Sequence, residues 1–316
     1  MRVTFDSRPA TDPRGLGRYA RCLLATLRET AAPGDEVEEA SRPRGGADLF
    51  HAPWIDGALV RCPVPQVVTL HDLLPLKRRA EFLQTGARQR LRYLAVKRAH
   101  RVIVPTQAVA DDVCERLGIG PERTAVIPEA PAAAFTARPP QEVAAARRRH
   151  RLPEEYLLWV GGLQAPEPRK RVAALAATPR TLPLVLAGPA SRWARELPGV
   201  TVTGQVSDDE LAALYTGARA LVFPSDEEGF GLPPIEALAC GTPVVACDVP
   251  GVRDVVGGRS TLVDRDDLEG LVAAAERAER PAPEPPPWTW ADAARATWEV
   301  YRAAAAAGDG SDGSSG

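Results

Sequence analysis

Residues 224–246 run PSDEEGFGLPPIEALACGTPVVA. Two glutamates in this stretch, Glu228 and Glu236, are separated by Gly-Phe-Gly and Pro-Pro. A strand buried in a core needs neither charge, and a surface helix needs neither the glycines nor the prolines. The segment PPIEALACG (233–241) is therefore interpreted as a helix with prolines at its start and a glycine just past its end. Strand-like runs flank this helix on both sides: RALVFPS (219–225) and TPVVAC (242–247).

Short apolar runs alternate with helical stretches along the rest of the chain. The apolar runs predict strands at 2–5, 48–53, 66–72, 101–107, 123–131, 155–162, 182–189 and 200–206. The helical patterns predict helices at 15–29, 78–100, 108–118, 207–218 and 267–280. Alternation of this kind predicts parallel sheets with helices on both faces, and therefore an α/β fold class. Polar residues follow several of the strands, which is where open α/β sheets bind ligands.

The composition is that of an ordinary globular protein, with 45% hydrophobic and 25% charged residues among 316. The net charge of -2 gives no electrostatic reason to expect nucleic acid as a partner. Five scattered cysteines without a C-x-x-C motif favour free thiols in a reducing compartment. Neither a secretory signal nor an apolar run of about 18 residues is evident, so we expect a cytoplasmic protein. The oligomeric state is left open.

Two domains are predicted from the proline-rich stretches that interrupt the pattern of strands and helices. The stretch 137–153 combines Pro-Pro with a basic run, and it is interpreted as the break between the domains. A second proline-rich stretch, RPAPEPPP (280–287), precedes a last helix, and the low-complexity end GDGSDGSSG indicates disorder. The predicted segments are an N-terminal domain (1–145), a C-terminal domain (146–287), the last helix (288–306) and a disordered tail (307–316).

The segment FPSDEEGFGLPPIEALACGTPVVACDVPGVRDVVG (223–257) resembles the hallmark of family-4 glycosyltransferases. Other stretches are similar to motifs of that family: GLGRYARCLL (15–24), LFHAPW (49–54), VVTLHDLLPL (67–76), AHRVIVPTQAVADDVCERLGI (99–119), ERTAVIPEA (122–130) and LLWVGGLQAPEPRKR (157–171). The resemblance implies the GT-B fold, with two facing Rossmann-like domains. It implies transfer of a sugar from a nucleotide diphosphate with retention at the anomeric carbon. It also implies that the last helix crosses back onto the N-terminal domain, with Trp288, Trp290 and Trp298 as packing anchors.

The resemblance assigns roles to the two glutamates and the turn between them. Glu228 reaches the sugar hydroxyls and Glu236 points at the ribose, because carboxylates accept strong hydrogen bonds from hydroxyl pairs. The backbone of Phe230, Gly231 and Leu232 approaches the sugar and the diphosphate, since glycine permits close approach and helix starts bind phosphate. The two glutamates are therefore expected to bracket a donor and not to form an acid/base pair.

Arg169 and Lys170 lie in a proline-bounded loop after the strand at 155–162. The resemblance implies that this basic pair binds the diphosphate and stabilises charge on the leaving group, in a donor-binding loop that includes Gly162. The sequence departs from the family at Gly162, where many relatives carry arginine or threonine, and the insertion QAPEP (164–168) lengthens the loop. A solvated Arg-Lys-Arg run is the alternative interpretation.

Two further groups of candidates lie in the N-terminal half. His71 ends a predicted strand, and the resemblance implies that it faces the transferred sugar as an orienting hydrogen-bond donor, not as a general base. His51 is a second histidine at a strand tip. Gly15 and Gly17 either approach the donor phosphate or form an ordinary strand–helix turn.

In the C-terminal half, Gly204 and Val206 follow the apolar run VTVT (200–203). The resemblance implies a loop beside the nucleobase, and a simple strand–helix loop is the alternative. SDDE (207–210) and DRDD (264–267) are interpreted as helix caps, and no Asp-x-Asp pattern stands where a metal-bound diphosphate would need it. We therefore expect no essential metal and no cofactor.

Three other classes of protein fit the sequence less well. A glycoside hydrolase requires two carboxylates facing one glycosidic bond, and the basic pair has no task in hydrolysis. A nicotinamide oxidoreductase requires G-x-G-x-x-G and an acidic partner, whereas GLGRYA ends on alanine. A non-catalytic sugar-binding relative would lack Glu228, Glu236 or Lys170, and all three are present.

The expected partners are a nucleotide sugar and a hydroxyl acceptor. The motifs look most like those of bacterial members that act on GDP-mannose, with UDP-glucose or a dTDP-deoxysugar as alternatives. The acceptor is a glycan, a glycolipid or a small molecule. The arginine-rich helix at 86–102 is either a solvated face or a peripheral contact with anionic lipid.

Overall fold

The computed structural model describes residues 1–77 and 86–309. The chain divides into two compact units: the first joins Met1–Ala130 to Trp288–Gly316, and the second is Pro131–Pro287. Each unit is built on one six-stranded sheet, and the strands within each sheet are parallel, which confirms the predicted α/β class. Among the described residues, no helix combines the length and the apolar character that crossing a bilayer requires.

The strands are short and follow one another along the chain. They are β1 (Arg2–Phe5), β2 (Glu36–Glu39), β3 (Leu49–Ala52), β4 (Gln66–Thr69), β5 (Arg101–Val104), β6 (Thr124–Val126), β7 (Leu157–Val160), β8 (Leu184–Ala187), β9 (Val200–Gly204), β10 (Ala220–Phe223), β11 (Val244–Cys247) and β12 (Thr261–Val263). The α-helices within the described residues are α1 (Gly15–Glu29), α2 (Leu74–Lys77), α3 (Gly86–Arg98), α4 (Gln107–Leu117), α5 (Pro140–His150), α6 (Val172–Ala177), α7 (Arg192–Arg195), α8 (Asp208–Gly217), α9 (Leu232–Ala239), α10 (Pro250–Val256), α11 (Leu268–Glu276) and α12 (Trp290–Asp309).

The sheet of the first unit has the strand order β2-β1-β3-β4-β5-β6. Its central strands β3 and β4 are buried along their whole length. Alternate residues of the strands point to opposite faces, so one face packs against α1 and α12 and the other against α3 and α4. This double cover explains why the strands appear in the sequence as continuous apolar runs.

Helix α12 completes the core of the first unit. Trp298 is 2% exposed, and its indole Nε1 donates a hydrogen bond to the Leu27 carbonyl of α1 at 3.2 Å. Trp290 and Tyr301 are buried in the same cluster, and Trp288 packs against it. The prediction that the tryptophans of this helix are packing anchors is therefore confirmed.

A chain of hydrogen bonds ties α12 to the sheet. The ring of His51 lies 2.6 Å from the Tyr301 hydroxyl through Nδ1 and 2.9 Å from the Thr69 hydroxyl through Nε2. The Thr69 hydroxyl in turn lies 2.9 Å from the hydroxyl of Tyr19 on α1. Burial, and secondly the charge of His71, lowers the pKa of His51 to about 3, so the ring is neutral. His51 is therefore a core residue and not a ligand group at a strand tip.

The sheet of the second unit has the strand order β12-β11-β10-β7-β8-β9. The four central strands β7, β8, β10 and β11 are fully buried. The Ser207 hydroxyl caps α8 by accepting from the Glu210 backbone N–H, as the sequence predicts. The aligned parallel strands bring their carboxyl ends to one edge of the sheet.

The structural division differs from the predicted boundary at 145/146, which falls inside α5. Pro140 occupies the first turn of this helix, where proline is well tolerated. Arg147 donates through Nη2 to the Gly217 carbonyl at 3.1 Å, which attaches α5 to α8 in the same unit. The Pro-Pro pair and basic run at 137–153 are therefore the start and the polar face of a packed helix.

Helix α12 continues to Asp309, whereas the sequence predicts a disordered tail from residue 307. Residues 310–316 of that tail lie outside the described residues, as do residues 78–85 of the predicted helix 78–100. The remainder of that predicted helix is confirmed as α3.

We expect Tyr301→Phe to destabilise the first unit by about 1–3 kcal/mol, because the substitution leaves a buried nitrogen of His51 without its partner. Equilibrium denaturation in urea measures the loss. The control is Arg302→Gln on the same helix, which removes the ion pair between the exposed guanidinium of Arg302 and Asp35 and should cost less than about 1 kcal/mol. Equal losses for the two variants would contradict the structural role given to His51.

Candidate functional site

The loop between β10 and α9 carries the turn that separates Glu228 from Glu236. Gly231, from which α9 begins, has φ 87°, in the left-handed region that favours glycine. Pro233 and Pro234 follow in the first turn of the helix. A helix start normally offers four backbone N–H groups that have no acceptor within the helix. Because proline lacks an N–H group, α9 offers only those of Gly231 and Leu232. Phosphate binding at this helix start would therefore depend on fewer amides than at an ordinary helix.

Glu236 lies one turn into α9 and is fully buried. Its Oε2 accepts a hydrogen bond at 3.0 Å from the hydroxyl of Tyr215 on α8. Burial, and secondly the charge of Glu236, raises the pKa of the neighbouring Cys240 thiol to about 12, so this thiol stays protonated. The sequence offers no signal for Tyr215 as a partner, because its contact with Glu236 joins two different helices.

Four charged side chains form a continuous ion network beside this loop. Arg169 lies between two carboxylates, with Nη1 2.7 Å from Glu228 Oε2 and Nη2 3.3 Å from Glu167 Oε2. The other oxygen of Glu167 lies 2.9 Å from Lys170 Nζ. The structure thus brings together three predicted site residues, and it adds Glu167, which the sequence marks only as part of the QAPEP insertion.

Backbone contacts hold the two loops of this network together. The Asp226 N–H donates to the Arg169 carbonyl at 2.9 Å, and Arg169 Nη1 donates to the Glu227 carbonyl at 3.2 Å. Gly251, in the first turn of α10, lies so close to the Glu228 carbonyl oxygen that a Cβ there would overlap it. This close approach fixes the position of the Glu228 backbone, and no motif in the sequence predicts it.

Glycines mark the carboxyl ends of the neighbouring strands. Gly204 has φ 75°, and its carbonyl accepts from the Gly188 N–H at 3.0 Å. A Cβ on Gly188 would overlap the carbonyl oxygen of Gly161. Gly162 is buried in the loop after β7, and Val206 is half-buried in the loop after β9. These loops therefore lie at the same edge of the sheet as the ion network, and their contacts with a nucleobase or phosphate remain predictions.

In the first unit, His71 has partners on both ring nitrogens. Nδ1 lies 3.1 Å from Glu129 Oε1, and Nε2 lies 3.0 Å from the Pro53 carbonyl oxygen. Burial lowers the pKa of His71, but hydrogen bonding and charge attraction from Glu129, with smaller contributions that include Asp72, outweigh this and raise the pKa overall. Glu129, which is 4% exposed, is a further site residue. It lies in the motif ERTAVIPEA, which does not predict its contact with His71.

The two glycines at the start of α1 have different environments. Gly15 is exposed at the first position of the helix. Gly17 is buried, and a Cβ on it would overlap the Asp12 carbonyl oxygen. The backbone of its own unit therefore explains the glycine at position 17. The predicted approach of Gly15 to a phosphate remains a prediction.

Among residues 1–77 and 86–309, no group of three or more His, Cys, Asp or Glu side chains is arranged to hold a metal ion. The two acidic segments act as caps, because Ser207 accepts from the Glu210 N–H and Asp267 accepts from the Gly270 N–H. A reaction that needs no metal remains a prediction for solution tests.

We expect Glu167→Gln to strengthen the binding of inorganic pyrophosphate by about threefold to tenfold, because it releases two cations from a shared carboxylate. Titration calorimetry at low ionic strength measures the affinity. Glu196→Gln, an equal change of charge at the exposed residue that follows α7, is the matched control. The same affinity in both variants would contradict a role for Glu167 at an anion site.

We expect Gly251→Ala to displace the Glu228 loop and to destabilise the second unit by about 1–3 kcal/mol, because its methyl group meets a backbone carbonyl. The control is Gly258→Ala, where nothing lies within 4 Å of the added carbon. Thermal unfolding and pyrophosphate affinity are measured for both. Two variants that both behave like the parent protein would show that this contact is not restrictive.

Two family models match the chain, one in each unit. The model described as Glycosyltransferase Family 4 matches residues 13–130, and the model described as Glycosyl transferases group 1 matches residues 154–279. The chain is 27% identical over 241 residues to the serotype-specific mannosyltransferase WbdA of Escherichia coli, covering 68% of this chain and 29% of WbdA. It is 34% identical over 271 residues to the D-inositol 3-phosphate glycosyltransferase of Salinispora arenicola, covering 72% of this chain and 60% of that protein.

The matched part of the chain thus spans less than two thirds of the length of these relatives. Among solved structures, Anabaena HepE in complex with UDP and glucose superposes with a TM-score of 0.68 at 20% identity, covering 96% of this chain and 95% of HepE. The likeness to HepE concerns the fold. With both family models and the fold in agreement with the sequence motifs, the chain belongs to glycosyltransferase family 4 and has the GT-B fold.

Proposed function

We propose that this protein is a retaining glycosyltransferase that moves a hexosyl group from a nucleotide-diphosphate sugar to a hydroxyl acceptor. The observation that carries the proposal is the ion network of the second unit. Arg169 contacts the carboxylate of Glu228, and Arg169 and Lys170 both contact the carboxylate of Glu167, so two cations lie within one network with Glu228. A nucleotide sugar presents a dianionic diphosphate next to sugar hydroxyls, and this pairing of cations with a carboxylate matches both parts.

The chemistry of the residues defines a role for each. Lys170 and Arg169 offset the negative charge that develops on the leaving diphosphate, a task they would perform without a metal ion. Glu228 accepts hydrogen bonds from hydroxyls of the transferred sugar. Glu236, whose carboxylate is oriented by Tyr215, accepts from the ribose. In a retaining transfer the leaving phosphate oxygen takes the proton of the acceptor hydroxyl, so no side chain of this unit has to act as a base.

GDP-mannose is the donor that we favour, because the similar proteins include a mannosyltransferase. UDP-glucose is the second candidate, since HepE of the same fold was solved with UDP and glucose. A dTDP-deoxysugar, and a relative that binds a nucleotide sugar without catalysis, remain alternatives. The acceptor is a glycan, a glycolipid or a small molecule, and we expect transfer to occur in the cytoplasm.

A peripheral membrane contact through α3 is part of the proposal for a lipid-linked acceptor. Leu91 and Leu94 are 57% and 38% exposed on this arginine-rich helix. Apolar side chains among basic ones suit the surface of an anionic membrane. The alternative is a solvated face, which would leave the protein unbound by anionic vesicles.

The test is a panel of GDP, UDP, dTDP and ADP in thermal unfolding, followed by transfer assays with the matching nucleotide sugar, with and without magnesium. A ligand that binds only the folded state raises the Tm, so one diphosphate should stabilise selectively. We expect Lys170→Met to lower kcat/KM by about 10²–10³-fold, in line with the loss of an electrostatic contact to the leaving group. Arg192→Met, a loss of the same charge at an exposed position, is the control and should leave the rate unchanged.

The stereochemistry of the product tests retention independently. The anomeric configuration of the transferred sugar, read from its proton coupling by NMR, should equal that of the donor. An inverted product would overturn the retaining mechanism and keep the enzyme class. No stabilisation by any of the four nucleotides, together with no transfer, would overturn the proposed function as a whole.

A further inference from the structure

The partners of His71 determine which of its nitrogens carry protons. A carbonyl oxygen only accepts hydrogen bonds, so the contact of 3.0 Å between Nε2 and the Pro53 carbonyl requires a proton on Nε2. On the other side of the ring, Nδ1 faces the carboxylate of Glu129 at 3.1 Å. An ionised carboxylate also only accepts, so this contact requires a second proton, on Nδ1.

The position of Glu129 favours the ionised pair. Glu129 follows β6, its side chain is 5% exposed, and the imidazole of His71 is an ion-pair partner within 4 Å. A buried carboxylate is costly unless it is paired and hydrogen-bonded, and His71 supplies both. The charge-assisted hydrogen bond between the two side chains therefore offsets the desolvation free energy of both.

The other groups around His71 act in the same direction or carry no charge. Asp72, the next residue, adds a further negative charge that favours the imidazolium. His51 is neutral, and the ring of Tyr19 meets the imidazole edge-on at 4.6 Å between centroids. Burial raises the pKa of the Tyr19 phenol, so it too is uncharged at neutral pH.

We propose that Glu129 is a positioning residue that keeps His71 doubly protonated, so that His71 brings a positive charge to the carboxyl edge of the first unit's sheet and offers no proton-accepting nitrogen. The role of this charge in catalysis rests on the proposed function, whereas the charge state of His71 can be measured without any reaction. With both N–H groups held by Pro53 and Glu129, His71 acts on a substrate through its charge. The proton of the acceptor must then leave by another route, as it does when the leaving phosphate takes it.

The charge state is measured by NMR titration of the histidine rings in the full chain. The sequence has four histidines, so the spectrum is small, and His71→Asn identifies the signal of His71 by its loss. In the parent protein at about pH 6.5, where an ordinary histidine is half protonated, both nitrogens of His71 should have mainly the ¹⁵N shifts of a protonated imidazolium. A neutral ring at that pH would overturn the proposal without any variant of Glu129.

The role of Glu129 is measured with Glu129→Gln, which keeps the size and the acceptor oxygen but removes the charge. Burial then acts with less opposition, so the titration midpoint of His71 should fall by about one pH unit or more. Asp72→Asn is the matched control, because Asp72 acts on His71 by charge only and should produce a smaller fall. An unchanged midpoint in Glu129→Gln would overturn the proposal.

The pH dependence of transfer connects this pair to the reaction. If the positive charge of His71 is required, the alkaline limb of kcat/KM should move to lower pH in Glu129→Gln by the same interval as the NMR midpoint. A midpoint that moves while the limb stays would overturn the role of Glu129 in the reaction. Absence of transfer in the parent protein would instead refute the proposed function, and the NMR titration would still decide the charge state.

Discussion

Parallel strand pairing is the constraint on which the rest of this structure depends. Because neighbouring strands run in the same direction, each connection has to cross the sheet, and all carboxyl ends meet at one edge. In the second unit this brings loops together that are far apart in sequence, such as those that carry Arg169 and Glu228. The same constraint brings Glu129 to His71 in the first unit. The sheet topology therefore determines which residues meet at each site, and no single motif contains all of them.

Much of the fold could be predicted because a buried parallel sheet has a strong local signature. The helix at 15–29 has the predicted bounds, since its apolar residues recur along one face and its neighbours are turns. Edge elements lack that signature. Strand β2 is Glu-Val-Glu-Glu and is only half-buried, so no apolar run marks it. Helix α5 is not predicted, because Pro139 and Pro140 are interpreted as a domain boundary, although prolines are equally common at the start of a helix.

The candidate site was predictable residue by residue but not contact by contact. Motifs identify Glu228, Lys170 and His71, yet their partners come from other elements and have no fixed spacing to them. Tyr215 reaches Glu236 from a different helix, and Glu129 reaches His71 across 58 positions. Gly251 stands where a backbone carbonyl leaves no room for a side chain, which only the three-dimensional structure reveals. A resemblance to a family thus predicts the roles of individual residues, whereas the structure identifies the neighbouring residues that hold their side chains in position.

The first unit consists of two separate pieces of chain, with the second unit inserted between them. Trp298 and Tyr301 of the second piece fill the core against α1, which is synthesised near the beginning. During synthesis the inserted unit is therefore complete before α12 leaves the ribosome, and until then only α1 covers that apolar face of the first sheet. Such a face invites aggregation until α12 arrives. The first unit can therefore be completed only after the second, although its sheet comes first along the chain.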